Sequence, residues 1–181
     1  MTSSPTLATA TGAQFTRIYG YGAYRGEHAV TNDELAGPIN SSDEWIRQRT
    51  GIITRARAGE HDNVVTMGVH AGREALAASG VGAEQIGAVI VATVTNMMAT
   101  PAAATRIADG LGIPGPNAYD ISAGCAGYCY AIAQADALIR AGMAEYVLVI
   151  GSEKLSDVAE PTDRSISFLL GDGAGLSLIH I

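Results

Sequence analysis

Asp120–Ile132 reads DISAGCAGYCYAI. A short apolar run ends in small residues; a cysteine, Cys125, then stands among Gly124, Ala126 and Gly127, and from there the spacing turns helical. The stretch predicts a strand-to-helix corner that carries a thiol, with bulk cleared from around it. At such a corner the first backbone N–H groups of the helix have no partner inside it, and the positive end of the helix dipole favours a thiolate. The flanking glycines let a substrate carbonyl approach the backbone, whose N–H groups can hold an oxyanion. Other transferases and hydrolases present a nucleophile on a sharp strand–helix turn. The chemistry indicated is acyl transfer through a covalent thioester. The competing reading is a cysteine that only fills space, as free cysteines usually do. Cys129, one turn further on between Tyr128 and Tyr130, fits that second reading.

The helix that follows carries small residues all round it (Ala126, Gly127, Ala131, Ala133, Ala135, Ala137), the pattern of a helix buried between layers. Upstream, IGAVIVATVT is a β-branched run suited to a strand buried on both faces, and EYVLVIGSE is another. NAYDIS reads as a short strand and FTRIYGYGAYRGE as a first strand running into a glycine-rich turn. NVVTMGVHAGREALAASG has helical spacing with Gly80 as its stop. TPAAATRIADGLG predicts a helix with proline in its first turn. TNDEL and SSDEWIRQRTG each begin with a capping residue, and the second has the acidic start and basic end that suit the helix dipole. SISFLLGDGAGLSLIHI has room for one or two further strands. Strands alternate with helices, which argues for an α/β domain with a mostly parallel sheet covered on both faces.

The chain has 181 residues, 48% apolar and 16% charged, enough for one sizeable core. A net charge of −7 argues against nucleic acid as a partner. Two cysteines make no disulfide framework, and no histidine lies near them in sequence to complete a metal site, so no metal is expected. The apolar runs are too short to span a bilayer, so no membrane partner is expected. MTSSPTLATATGAQ, residues 1–14, reads as a polar tail without the features of a signal peptide, which makes the cytoplasm the default location.

DISAGCAGYCYAI resembles the active-site segment of the β-ketoacyl-[acyl carrier protein] synthase III family. SSDEWIRQRTGI, IGAVIVATVT, EYVLVIGSEKLSD, PTDR and GDGAG resemble that family's other motifs, in the family's order, over Ile18 to Gly175. The resemblance implies the thiolase fold, whose two similar α/β halves stack in five layers through central helices; residues 15–181 are then the N-terminal half. It implies a homodimer that starts fatty-acid synthesis. Cys125 takes an acyl group from acyl-CoA, malonyl-acyl carrier protein is decarboxylated, and the carbanion attacks the acyl thioester. Coenzyme A and the carrier protein are substrates, and no cofactor is required. By position, Trp45 matches the tryptophan that stacks on the adenine of coenzyme A, Arg164 the arginine on the adenine's other face, and Arg49 a residue near the phosphates. Thr100 and Leu170 stand where relatives carry aromatics around the acyl tunnel, which implies a roomy acyl pocket.

Other readings compete. Another thiolase-fold enzyme, a hydroxymethylglutaryl-CoA synthase or a polyketide starter enzyme, shares part of the motif set, and a non-catalytic scaffold would keep Cys125 only for packing. GYGAYRG (Gly20–Gly26) has a weak dinucleotide-binding look, against which stands a glycine-rich strand end. GDGAG reads as a tight turn before a strand. The family's decarboxylating histidine and asparagine lie over a hundred positions beyond the cysteine, and His28, His61, His70 and His180 match none of them. They read as structural or surface residues. LSLIHI departs from the family's pattern after GDGAG, though it can still pair as a strand. The chain as written is therefore expected not to condense by itself and to be poorly stable alone.

Overall fold

The computed structural model describes residues 12–180. The elements, in chain order, are β1 (Arg17–Arg25), β2 (His28–Thr31), α1 (Asn32–Ala36), α2 (Asp43–Thr50), β3 (Thr54–Arg57), α3 (Val64–Ser79), β4 (Ile86–Ala92), α4 (Ala103–Gly110), β5 (Asn117–Ile121), α5 (Gly127–Arg140), β6 (Tyr146–Lys154) and β7 (Asp172–His180). Five strands form one sheet in the order β1-β7-β6-β4-β5. β4 runs parallel to both β5 and β6, and β7 is antiparallel to β6 and to β1. Four strands thus point one way and β7 opposes them, which is the mostly parallel sheet the alternating pattern predicts.

Side chains alternate across a strand, and the β-branched runs exploit it. Val89 and Val91 of β4 and Leu148 and Ile150 of β6 join α3 and α4 in one core, while Ala88, Ile90, Val147 and Val149 join α5 in a second core on the other face. Each valine, leucine or isoleucine among them taken out of water contributes about 1.5–3 kcal/mol. Asn63 caps α3, accepting from the N–H groups of Val65 and Thr66, and Gly80 ends it in the left-handed region. Ser42 caps α2.

Several details differ from the sequence reading. The glycines of β1 do not form a turn. Gly22 lies inside the strand, and a Cβ there would sit 2.1 Å from the Ala71 carbonyl oxygen and 2.7 Å from the Ala75 nitrogen. Its missing side chain lets α3 lie directly on β1, so the strand reading of GYGAYRG stands and no phosphate-binding loop forms. HAVT and TRAR, too short and polar to declare themselves, pair as the antiparallel β2–β3. Pro101 precedes Ala102, the cap of α4, rather than entering the first turn. Asp172–Gly175 of the GDGAG run lie within β7, Asp172 paired to β6 and Gly173–Gly175 to both β1 and β6, and Leu176–His180 continue that strand. Of the expected polar tail, residues 1–14, residues 1–11 lie outside the described residues, but Ala13 packs against the core beneath α5; just after the tail, Thr16 donates to Asp136 of that helix at 2.7 Å.

Among the described residues α5 is buried along one stripe only. Gly127, Ala131, Ala135 and Ile139 face the sheet, while Cys129, Tyr130, Ala133 and Ala137 are exposed. Cys129 is therefore not the core filler its position implied.

Candidate active site

Strand β5 delivers the chain to Ser122, and a single 3-10 turn, Gly124–Ala126, leads into α5. Gly124 takes φ +52°, a left-handed conformation that side chains disfavour. This reverses the chain direction and places Cys125 at the head of the helix. The N–H of Ala126 donates to the Ala123 carbonyl at 3.2 Å and that of Gly127 to Gly124. The amide of Cys125 has no hydrogen-bond partner among the described residues. A donor of this kind is what a developing oxyanion on an attacked carbonyl needs.

Cys125 is exposed and opens on a cavity of about 380 Å³. Val94, Leu155, Ile166 and Leu170 make its wall largely apolar, with Gly124 and Glu153 completing it. The Glu153 carboxylate is occupied: it accepts from the N–H groups of Val94 (2.9 Å) and Thr95 (3.1 Å) and from the hydroxyls of Thr93 (3.2 Å) and Thr95. Its role here is to hold residues 93–95, which follow β4, against β6. Thiol, free amide and apolar wall suit an acyl chain carried as a thioester.

Of the two residues expected around the acyl tunnel, Leu170 lines this cavity, whereas Thr100 is exposed on the stretch before α4 and does not line it. Ile166 and Glu153 line it without having been anticipated. Glu153 had one legible signal, an acid at the end of a buried apolar strand. None of the four histidines borders the cavity.

The three residues expected to meet coenzyme A lie together. Trp45 projects from the first turn of α2, where its N–H donates to Ser42 Oγ at 3.2 Å. The Arg49 guanidinium, one turn on, lies 4.7 Å from the Trp45 ring centroid, and that of Arg164 lies 4.9 Å from it. Phe168 meets the same ring edge-on at 5.5 Å. Cation–π attraction accounts for these contacts. The arrangement differs from the expected sandwich in one respect. A purine between two flat groups needs a contact of about 3.5–4.0 Å on each side, and Arg164 at 4.9 Å leaves no such gap. In this structure the guanidinium itself rests on the indole.

Electrostatics support the α2 end. The Arg47 guanidinium, and then the Asn32 amide, hold the Asp43 carboxyl below the usual carboxylate range. Behind it, burial pushes the Arg55 guanidinium down from its ordinary value. Among the described residues no group of three or more His, Cys, Asp or Glu side chains is placed to hold a metal ion, and no helix is long and apolar enough to cross a membrane.

The family model for 3-oxoacyl-[acyl-carrier-protein (ACP)] synthase III matches residues 119–180, which include the Cys125 corner. β-Ketoacyl-[acyl-carrier-protein] synthase III of Kocuria rhizophila is 57% identical over 164 residues, 91% of this chain and 46% of that protein. The enzyme of the same name from Streptomyces glaucescens is 50% identical over 173 residues, 96% of this chain and 52% of that protein. Among solved structures, a priming β-ketosynthase from the R1128 polyketide pathway superposes with a TM-score of 0.94 at 40% identity, covering 97% of this chain and 52% of that one. The 3-oxoacyl-[acyl-carrier-protein] synthase III of Aquifex aeolicus superposes at 0.89, also at 40% identity, over 92% of this chain and 54% of that one. The chain spans about half the length of the curated relatives it matches.

Proposed function

We propose that this chain, which belongs to the 3-oxoacyl-[acyl-carrier-protein] synthase III family and has its thiolase-type fold, supplies the acyl-accepting nucleophile and the coenzyme A face of a condensing acyltransferase. The observation that carries this reading is the exposed Cys125 at the head of α5, opening on an apolar cavity. The Cys125 sulfur attacks the carbonyl of an acyl-CoA thioester. The carbonyl oxygen, negative in the tetrahedral intermediate, is met by the Cys125 amide. The C–S bond to coenzyme A then breaks, the coenzyme leaves as its thiol with the proton that Cys125 gave up, and the acyl group stays on the cysteine. In the second half-reaction malonyl-acyl carrier protein loses carbon dioxide. The electron pair of the broken C–C bond forms an enolate, which attacks the acyl-cysteine carbonyl and expels the Cys125 thiolate. The product is a 3-oxoacyl-carrier protein. Neither half-reaction transfers electrons to an external acceptor, so we assign no redox cofactor.

We assign Trp45, Arg49 and Arg164 to the adenine nucleotide of coenzyme A, with Arg164 moving off the indole to admit it. We assign Leu170 to the acyl wall, and Thr100 to an acyl tunnel completed by the second subunit of a homodimer. Residues 15–181 form one thiolase-like unit, and the exposed stripe of α5 is the surface on which the family's second half would pack. The enzyme would work in the cytoplasm. Among the described residues no histidine or asparagine borders the cavity to stabilise the enolate, so we assign to the chain by itself acylation and not condensation.

The test is peptide mass mapping after incubation with acetyl- or isobutyryl-CoA. Acyl mass on Cys125 is expected; acyl mass on Cys129, which is also exposed, or on neither cysteine refutes the assignment. Residues Met1 to Ile181 assayed with malonyl-carrier protein should give no 3-oxoacyl product. Turnover near that of a full-length relative would overturn the division of labour. The likeness to a polyketide priming ketosynthase favours one second reading, the same chemistry starting a polyketide chain, which a preference for a polyketide carrier protein over a fatty-acid one would reveal.

A further inference from the structure

Two separate elements carry the groups assigned above. α2 brings Trp45 and Arg49; the turns between β6 and β7 bring Arg164 together with the cavity residues Ile166 and Leu170. The two elements meet directly where Phe168 packs against Ile46 and the edge of the Trp45 ring, a contact that holds them together but does not fix their register. A polar connection with defined geometry runs through Arg55 on β3, a side chain that does not line the cavity. Arg55 is 5% exposed. Its Nε donates to the Phe168 carbonyl at 3.1 Å, its Nη1 to the carbonyls of Val30 and Thr31, both at 3.1 Å, and its Nη2 to Oδ1 of Asn32. Asn32, 1% exposed, passes the connection on. Its amide donates to the Asp43 carboxylate in the first turn of α2 at 2.8 Å, and to the Ile52 carbonyl just past the end of that helix at 2.7 Å. No carboxylate forms an ion pair with Arg55 among the described residues.

A buried guanidinium bonded only to neutral acceptors is an expensive way to fill space, since an apolar side chain of similar volume avoids the desolvation. What the guanidinium supplies is a rigid planar fork that reaches several acceptors at once. Here one prong ends on Phe168, whose ring lies against Trp45, and another ends on the amide that grips both ends of α2. Neighbouring Arg57 makes a weaker version of the same tie, Nη2 to the Ser167 carbonyl at 3.2 Å.

We propose that Arg55, acting through Asn32, is the positioning residue that registers α2 against the 163–170 segment, and so sets both the stacking face of Trp45 and the wall of the Cys125 cavity. The proposal rests on the reading of Trp45, Arg49 and Arg164 as the nucleotide site. Its consequence is that nucleotide affinity and acyl preference change together when Arg55 is altered.

Trp45 is the sole tryptophan of the chain, so its fluorescence reports this joint directly. Three quantities are measured on the wild type, Arg55→Met, Arg55→Lys and Arg57→Met: acrylamide quenching without ligand, affinity for adenosine 3′,5′-bisphosphate, and the ratio of acetyl to octanoyl label on Cys125 when both acyl-CoAs compete. Arg55→Met is expected to steepen quenching, to weaken nucleotide binding about tenfold and to shift the acyl ratio. Arg57→Met should shift all three less. Arg55→Lys keeps the charge but cannot reach Phe168 and Asn32 together, so it should fall between. Wild-type values for Arg55→Lys overturn the proposal, whether or not Arg55→Met folds. A lowered melting temperature with all three readouts unchanged overturns it too, because that is what a merely structural role predicts. If the wild type itself binds no nucleotide, the reading of the nucleotide site fails, and ligand-free quenching still decides the role of Arg55.

Discussion

The two faces of the sheet are covered by helices of similar composition and opposite fate. α3 uses its small residues within this chain. A Cβ on Gly72 would lie 2.6 Å from Leu111 of the α4 side and one on Gly68 2.4 Å from Ile107, while the Ala71 and Ala75 backbone touches Gly22 of β1. α5 is as rich in alanine, but two of its four alanines, Ala133 and Ala137, face outward. Small residues on a helix thus announce a close neighbour without saying whether the same chain provides it. Cys125, the proposed nucleophile, stands at the head of the less covered helix.

Five measurements break or sharpen this contrast. The largest effect belongs to the closed face. Gly22→Ala drives a Cβ into the α3 backbone, which has no rotamer with which to yield, and should lower stability in urea by about 3 kcal/mol or more. An unchanged midpoint would show that α3 is free to retreat. Next is Asp120→Ala. α4 begins at Ala102, which has no capping side chain, and Asp120 on β5 supplies the cap from a distance, accepting from the N–H groups of Ala103 and Ala104 at 2.8 Å each. Its loss should destabilise by about 1–2 kcal/mol. A loss confined to the Cys125 corner, with α4 still protected from amide hydrogen exchange, would argue against this role.

The third concerns pH on the closed face. Tyr24 donates to Asp62 at 2.7 Å, and chiefly this bond pushes the phenol up to about 12. The contribution is full below the unfolded value of about 10 and is lost as pH rises from there through the folded value. On the acid side burial works against the Asp62 carboxylate, yet the bonds from Tyr24 and the Gly59 amide hold it below the ordinary range. That contribution is full above the unfolded value and disappears as pH falls through the folded one. Tyr24→Phe should remove about 1 kcal/mol at neutral pH and flatten the alkaline slope; an alkaline slope unchanged in the variant would assign it elsewhere.

On the open face the effects are smaller. Leu170→Phe fills the Cys125 cavity and should shift self-acylation toward short chains by about 0.8 kcal/mol per methylene excluded. Thr100→Phe, outside the cavity, should leave the monomeric chain's preference unchanged and act only across a dimer. Equal shifts for both variants would place Thr100 in the wall after all. The smallest effect is expected of Ala137→Leu, within about 0.5 kcal/mol. A much larger loss in a melt would mean that another molecule already covers α5 in solution.

What could be read beforehand follows from range. β4 and β6 announce themselves by unbroken β-branched runs, and α3 by its spacing and by Asn63 and Gly80 at its ends, all local signals. The Cys125 corner is legible for the same reason, since strand, glycines and thiol are contiguous. β2 and β3 are not, because four mixed residues carry no period and are strands only through each other. The grouping of Trp45 with Arg49 and Arg164 was legible through resemblance alone; as bare residues they look like ordinary surface and half-buried side chains. Arg55 gave no sign at all. Its partner carbonyl at Phe168 is 113 residues away, and a lone arginine in a short strand looks solvated until the chain that buries it is in place. The exposure of Cys129 escaped notice because helical spacing shows which residues share a side, not which side is covered.

The position of β1 also bears on how the chain comes off the ribosome. Among the described residues β1 is an edge strand whose one hydrogen-bonded neighbour in the sheet is β7, with Arg17 opposite His180 and Arg25 opposite Gly173. The earliest-made strand of this described sheet therefore waits for its latest. Roughly 150 residues separate their synthesis, about 7–30 s at ordinary elongation speeds. Through that interval α3 can shelter one side of β1, but its backbone N–H and C=O groups remain open to any other strand nearby, with Ile18 and Tyr21 exposed along it even in the finished fold. Long-range pairings of this kind are slow to form and prone to error. The nascent chain, more than the mature one, is where this protein would need a holdase.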